Sequence, residues 1–140
     1  MNLDGVRDFY RGIINPLGFT EWDDGFNKSN IPSTILDRSY CFQIGRIVSG
    51  PANQLHHTFR YPLTLRVHLK GFRNTNAAID EALTEAHNII AGLLSPSNRL
   101  QTIGLKDIRP VTIDVQQLSD SNDNAVIVEM EFDNYLVFKF

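Results

Sequence analysis

"TFRYPLTLRVHLKG", residues 58–71, carries the cleanest periodicity in the 140-residue chain. Phe59, Tyr61, Leu63, Leu65, Val67 and Leu69 fall on odd positions, and Thr58, Arg60, Thr64, Arg66, His68 and Lys70 on even ones. Successive side chains of a strand point to opposite faces, so this stretch predicts a long strand with one apolar and one basic face. Pro62 falls on the basic face. It has no N–H to give a ladder, so the strand carries a bulge there or lies partly at an edge.

Elements on either side of it are read the same way. Upstream, "SYCFQIGRIV" predicts a strand over 39–48 with Tyr40, Phe42, Ile44 and Val48 on one face, and "SGPANQLHH" predicts a turn or loop. Downstream, 76–94 predicts the best helix, with Ile79, Ala82, Leu83, Ala86, Ile90, Leu93 and Leu94 as its apolar stripe and "SPSNR" as its stop. Two more strands follow, over 108–118 and 125–138, around the polar loop "SDSNDN". Val111, Ile113 and Val115 share a face in the first. Val126, Val128, Met130 and Phe132, continued by Leu136 and Phe138, share one in the second. Residues 3–14 predict a short helix weakened by Gly5 and Gly12, which depends on docking to something larger.

Adjacent strands with few helices predict an α+β fold: a single antiparallel β-sheet of about four strands, with two helices packed on one face and the other face polar. The whole of 1–140 reads as a single domain. It includes an irregular excursion at about 15–38, whose Phe19, Trp22 and Phe26 are candidate interface anchors. A net charge of −3 does not mark a nucleic-acid binder. The single Cys41 excludes an internal disulfide and a thiolate cluster. "MNLDGVRDFYRGIINPLG" reads as neither a signal nor a transit peptide, and no apolar run approaches the length of a membrane span.

Motifs for chemistry are weak. His56 and His57 are adjacent, lie in the predicted loop and lack companions at ligand spacing, so they read as exposed loop residues. His68 and His87 read as surface or boundary residues and Cys41 as structural. No phosphate loop or nucleophile elbow is present in the sequence, and Glu129 with Glu131 reads as part of an acidic row. No catalytic residue, metal site or cofactor is expected.

The stronger signal is charge segregation. Residues 58–73 hold four cations (Arg60, Arg66, Lys70, Arg73) and no acid. Residues 119–140 hold five acids (Asp120, Asp123, Glu129, Glu131, Asp133) and one cation, Lys139. Two accounts stand side by side: ion pairs across one exposed sheet face, or complementary surfaces that meet between copies in a ring. Both use Arg60, Arg66, Lys70, Glu129, Glu131 and Asp133.

The order of elements, with "NIPSTILDRSYCF" in the excursion, the basic strand, "AAIDEALTEAHNIIAGLL" and two long closing strands, resembles the tail terminator (tail completion) proteins of long-tailed bacteriophages. The resemblance implies an α+β subunit of a hexameric ring that caps the head-proximal end of the tail tube. Such a ring ends tube polymerisation and joins the tail to the head and neck. It implies a virion protein, present in the host cytoplasm during assembly. Its partners would be its own copies, the tail tube protein and a neck or head-completion protein. Genome DNA would pass through the lumen without specific binding, and no membrane would be involved. The alternatives are another phage neck or head–tail connector protein and a non-catalytic nucleic-acid-binding α+β domain. The basic strand favours the latter. The lack of stacking aromatics beside its cations disfavours it.

Overall fold

The computed structural model of the protein describes residues 3–22, 37–50, 56–70, 75–99, 104–119 and 124–139. The alternating stretch forms β4 (His56–Lys70), at the centre of a mixed sheet. Its partner on one side is β6 (Asn124–Lys139), in an antiparallel ladder that holds one register from His56↔Lys139 to Lys70↔Ala125. The far side of β6 carries β5 (Leu105–Ser119) as one edge of the sheet. The other side of β4 carries β2 (Ser39–Ile44), then the two-residue β3 (Val48–Ser49). The two-residue β1 (Thr20–Glu21) adds parallel to the start of β2.

The α+β class and single sheet hold, with six strands rather than about four. The additions, β1 and β3, are too short for alternation to register. Helices α1 (Gly5–Ile14) and α2 (Thr75–Leu94) contribute the buried side chains that pack with one sheet face. A 3-10 turn, Asn15–Leu17, extends α1, and a single turn, α3 (Pro96–Arg99), follows Ser95. The described residues thus include three α-helices rather than two. Residues 23–36 and 51–55, parts of the expected excursion and loop, lie outside the described residues.

Pro62 explains the break between β2 and β3. Its carbonyl accepts from Gly45 N at 2.9 Å, so the position of its missing N–H faces the same neighbour. Pairing passes from Ile44↔Leu63 to Val48↔Arg60, one residue longer on the β2–β3 side. The extra residue flips the strand's faces. Val48 therefore lies on the side of Arg60 and not, as expected, on that of Tyr40, Phe42 and Ile44. The ladder to β6 runs unbroken through Pro62↔Asp133.

The core lies between the helices and the odd positions of β4. Leu63, Leu65, Val67 and Leu69 pack with Val126, Val128, Met130, Phe132 and Leu136 of β6. In α2 the buried positions are Ala78, Ala82, Ala86, Ile89 and Leu93. That line is rotated from the expected stripe: Ala78 and Ile89 replace Ile79 and Ile90, which are half-buried, and Leu83 is exposed. Small side chains bring the helix axis close to the sheet and leave the larger ones at its flanks. α1 buries Val6, Tyr10 and Ile14. It crosses α2 at Gly92, where a Cβ would lie 2.6 Å from Ile13 Cγ2.

One polar group sits in the apolar row of β6. Asn134 is fully buried, accepts from Tyr10 Oη at 2.6 Å and donates from Nδ2 to the Tyr61 carbonyl at 3.0 Å. The network joins α1, β4 and β6. It leaves the Tyr10 hydroxyl and the amide satisfied away from water, as burial requires. Burial pushes the Tyr10 phenol well above its usual range, so it stays a neutral donor.

Candidate functional site

The even positions of β4 lie on the face away from the helices, as the alternation requires. Arg66 stands opposite Glu129 in the ladder, and its Nε donates to Glu129 Oε1 at 2.7 Å, with Nη2 donating to the same oxygen. Arg60 Nε lies 3.2 Å from Asp133 Oδ1, without the alignment of a hydrogen bond. Both cations thus find carboxylates within their own chain, as the fixed β4·β6 register dictates. Glu131 stands between Thr64 and Thr112 and forms no ion pair among the described residues. The side chain of Lys70 lies outside the description.

This face is not polar throughout. Ser39, Cys41, His68 and Ile127 are all buried on it, grouped by the pairs Ser39↔His68, Cys41↔Arg66 and His68↔Ile127. The expectation of a polar face therefore fails at this end, and His68 is not the surface or boundary residue expected. Alternation assigns side chains to a face but does not say what covers that face. Among the described residues, His68 Nδ1 has no hydrogen-bond partner. Burial, with the neighbouring Arg66 charge, pushes its pKa down to about 4 against the upward pull of Glu129. A base held neutral and shielded in this way is poorly placed for proton transfer to a substrate. His57 is exposed, and both His56 and His57 belong to β4 rather than to a loop.

The aromatic anchors separate. Phe19 is buried in the protein's own core, so it is not available as an interface anchor. Above its ring, 4.3 Å from the centroid, sits the Arg38 guanidinium. Arg38 also donates from Nη2 to the Leu17 carbonyl at 2.7 Å and from Nη1 to Glu85 of α2 at 3.2 Å. These contacts hold a non-glycine residue at φ +54°, in the left-handed region that costs on the order of 1 kcal/mol. Trp22 is half-buried, and its backbone N–H donates to the Tyr40 carbonyl at 2.7 Å. Phe26 lies outside the described residues. The described residues on either side of 23–36 are thus clamped to the fold, and Arg11 reinforces this by a two-point grip on Glu21 at 2.6 and 3.0 Å.

Alternation says nothing about which strands are edges, and some of the exposed apolar side chains lie there, besides Leu3, Ile47, Val48 and Leu83 elsewhere. On β5, Val111 and Ile113 are 50% and 48% exposed; on β2, Ile44 is 40% exposed. Pro110, not weighed in the sequence reading, is a signal that fits an edge strand, and a register shift follows it at Val111.

No protein-family model matches the chain, and no curated protein matches it. Among the described residues, no group of three or more His, Cys, Asp or Glu side chains is placed to hold a metal ion. No described helix is long and apolar enough to cross a membrane.

Proposed function

We propose that the protein is a structural assembly subunit of the tail-terminator type. It closes with its own copies into a ring that caps the head-proximal end of a long phage tail, ends tube polymerisation and joins tail to neck. The observation that carries this reading is the open sheet, built in the order of elements that the resemblance rests on. Its two outer edges expose Ile44, Val111 and Ile113, apolar side chains that a neighbouring subunit would cover.

The charged face favours this reading over a nucleic-acid-binding sheet. Arg60 and Arg66 are directed at Asp133 and Glu129, and a phosphate backbone would have to compete with those carboxylates. In the proposed role the ring belongs to the virion, with the tube protein and a neck protein on its two sides and DNA passing through its hole.

Light scattering after size exclusion and negative-stain imaging test the proposal. The expected result is a closed ring with a central hole, no retention on heparin at low salt, and tube polymers that stop growing when the ring is added. A particle that stays monomeric at high concentration, both alone and with tube protein, overturns it.

A further inference from the structure

The exposed large apolar side chains of the described residues are not scattered. Apart from Leu3, they fall into two groups on opposite sides of the β4·β6 ladder. Single apolar side chains on a surface need no explanation, whereas grouped ones mark a site of contact.

The first group is the corner between β2 and β3. Every residue of 43–50, "QIGRIVSG", is exposed, and Ile44, Ile47 and Val48 are its apolar side chains. The corner is held at both ends. Gly45 N donates to the Pro62 carbonyl at 2.9 Å and Gly50 N to the Thr58 carbonyl at 2.8 Å. A loop fixed in this way loses little freedom when it docks.

The second group lines a groove between α2 and β5. At about 100° per residue, Ile79, Leu83, Ile90 and Leu94 project within about 60° of one another, and Gly92 projects nearly opposite. α1 crosses α2 at Gly92 and lies over β2, where the Tyr10 ring meets Phe42. The apolar flank of α2 therefore faces the other way, over β5, against which α2 also packs. Leu83 is exposed on that flank. On β5, Ile113 stands opposite Met130, which puts it on the helix-bearing face, and both Ile113 and Val111 are exposed.

Charge decides how the two groups combine. Arg46 is the one charged residue in the corner and forms no ion pair among the described residues; Arg60 stands opposite Val48. The groove walls have the other sign. α2 holds Asp80, Glu81 and Glu85 with no Lys or Arg, and β5 from Val111 to Ser119 holds Asp114 alone. Asp80 projects beside the apolar flank and forms no ion pair among the described residues. Corner against corner opposes cations, and groove against groove opposes acids. Corner against groove brings opposite signs together.

Each copy carries the corner on one side and the groove on the other, so the contact is head to tail. Ile44 shares the row of Leu63, Phe132 and Pro110, which is next to Val111. Corner and groove thus stand at nearly one level along the strands. A contact with little rise can close into a ring, whereas one with rise climbs into a filament.

We propose that the corner Ile44–Val48 of one copy seats in the α2–β5 groove of the next. Its apolar side chains meet Leu83, Val111 and Ile113, and Arg46 turns toward Asp80. This inference rests on the ring reading above and adds which surfaces join the copies.

The test uses the whole chain with Ile47→Asp in the corner or Leu83→Asp in the groove, and unchanged circular dichroism as the check on folding. Both side chains are exposed in the single chain, so neither substitution enters the core. By size exclusion with light scattering, each variant alone is expected to fall from the wild-type mass to a monomer. An equimolar mixture is expected to recover a dimer, because one unaltered corner still meets one unaltered groove. In a dilution series, Arg46→Glu is expected to dissociate at a roughly tenfold higher concentration than wild type. If either Asp variant keeps the wild-type mass, or Arg46→Glu dissociates where wild type does, the inference falls while the ring reading stands. A mixture that stays monomeric also overturns it. A wild-type protein that is monomeric on its own overturns this inference, and the ring reading falls with it only if tube protein also fails to assemble the copies.

Discussion

The buried link from Tyr10 through Asn134 to Tyr61 allows a quantitative test of how α1 is held. Tyr10→Phe keeps the ring and its edge contacts with Phe42 and Phe132 but removes the donor to Asn134 Oδ1. That oxygen is then buried without its partner, which costs roughly 1–3 kcal/mol. Asn134→Leu is expected to cost at least as much, because it orphans the buried Tyr10 hydroxyl at roughly 1–3 kcal/mol and also removes the side-chain bond to the Tyr61 carbonyl. The double variant removes donor and acceptor together. It is expected to lose about 1–2 kcal/mol less than the sum of the single changes, the signature of a direct interaction. Urea unfolding measures these losses, followed by circular dichroism and by the fluorescence of Trp22, the only tryptophan. Protein concentration must be held equal, because under the proposed ring reading assembly would add to apparent stability. A Tyr10→Phe loss below about 0.5 kcal/mol, or additivity within about 0.3 kcal/mol, would refute the reasoning.

Three further outcomes follow from other sites. Charge reversal at Arg66→Glu is expected to cost roughly 1–3 kcal/mol, less than a fully buried pair because both side chains keep part of their solvent contact. Glu129→Arg in the same chain should recover part of that loss; a melting temperature unchanged by the first substitution contradicts the intrachain pairing. The pKa of His68 is low in the fold and ordinary in the unfolded chain, so between those values the unfolded state binds more protons and stability drops as pH is lowered. The stability is intact above about pH 6.5 and falls by roughly 3 kcal/mol as pH approaches 4. His68→Phe should flatten that part of the pH profile, and an equally steep profile in the variant assigns the loss to other groups. Gly92→Ala would raise helix propensity by about 1 kcal/mol in an open helix. Here it is expected to lower the melting temperature through contact with Ile13, and Ile13→Ala should relieve the clash; a higher-melting Gly92→Ala chain refutes the close crossing.

The strand faces of β4 and β6 were legible because a period of two survives wherever a ladder holds one register. The position of Val48 was not: a single extra residue opposite Pro62 reverses every later side chain, and nothing local in "GRI" states where that residue goes. The helix stripe was legible to within a rotation. Leu83 was taken for core because it is apolar, while Ala78 and Ala86 win the interface by being small. Asn134 looked like an interruption in an apolar row, because its two partners lie far away in the sequence. Charge segregation marked Arg66 and Glu129, but only the register places them opposite each other in one chain. The exposed Ile44 and Ile113 were the least visible, since whether an apolar residue is covered depends on strand order, which alternation does not encode.

The fixed register of β4 and β6 also sets an order of events. β4 pairs Lys70 with Ala125 and His56 with Lys139, across the whole of α2 and β5. Contacts of such long separation form late, after the loop between them has been closed. The hairpin of β5 and β6 is local and can form first, but it presents no finished edge until β4 docks. β2 in turn hangs on β4. A chain still folding therefore has no place for β2 in the sheet until its central β4·β6 ladder is complete.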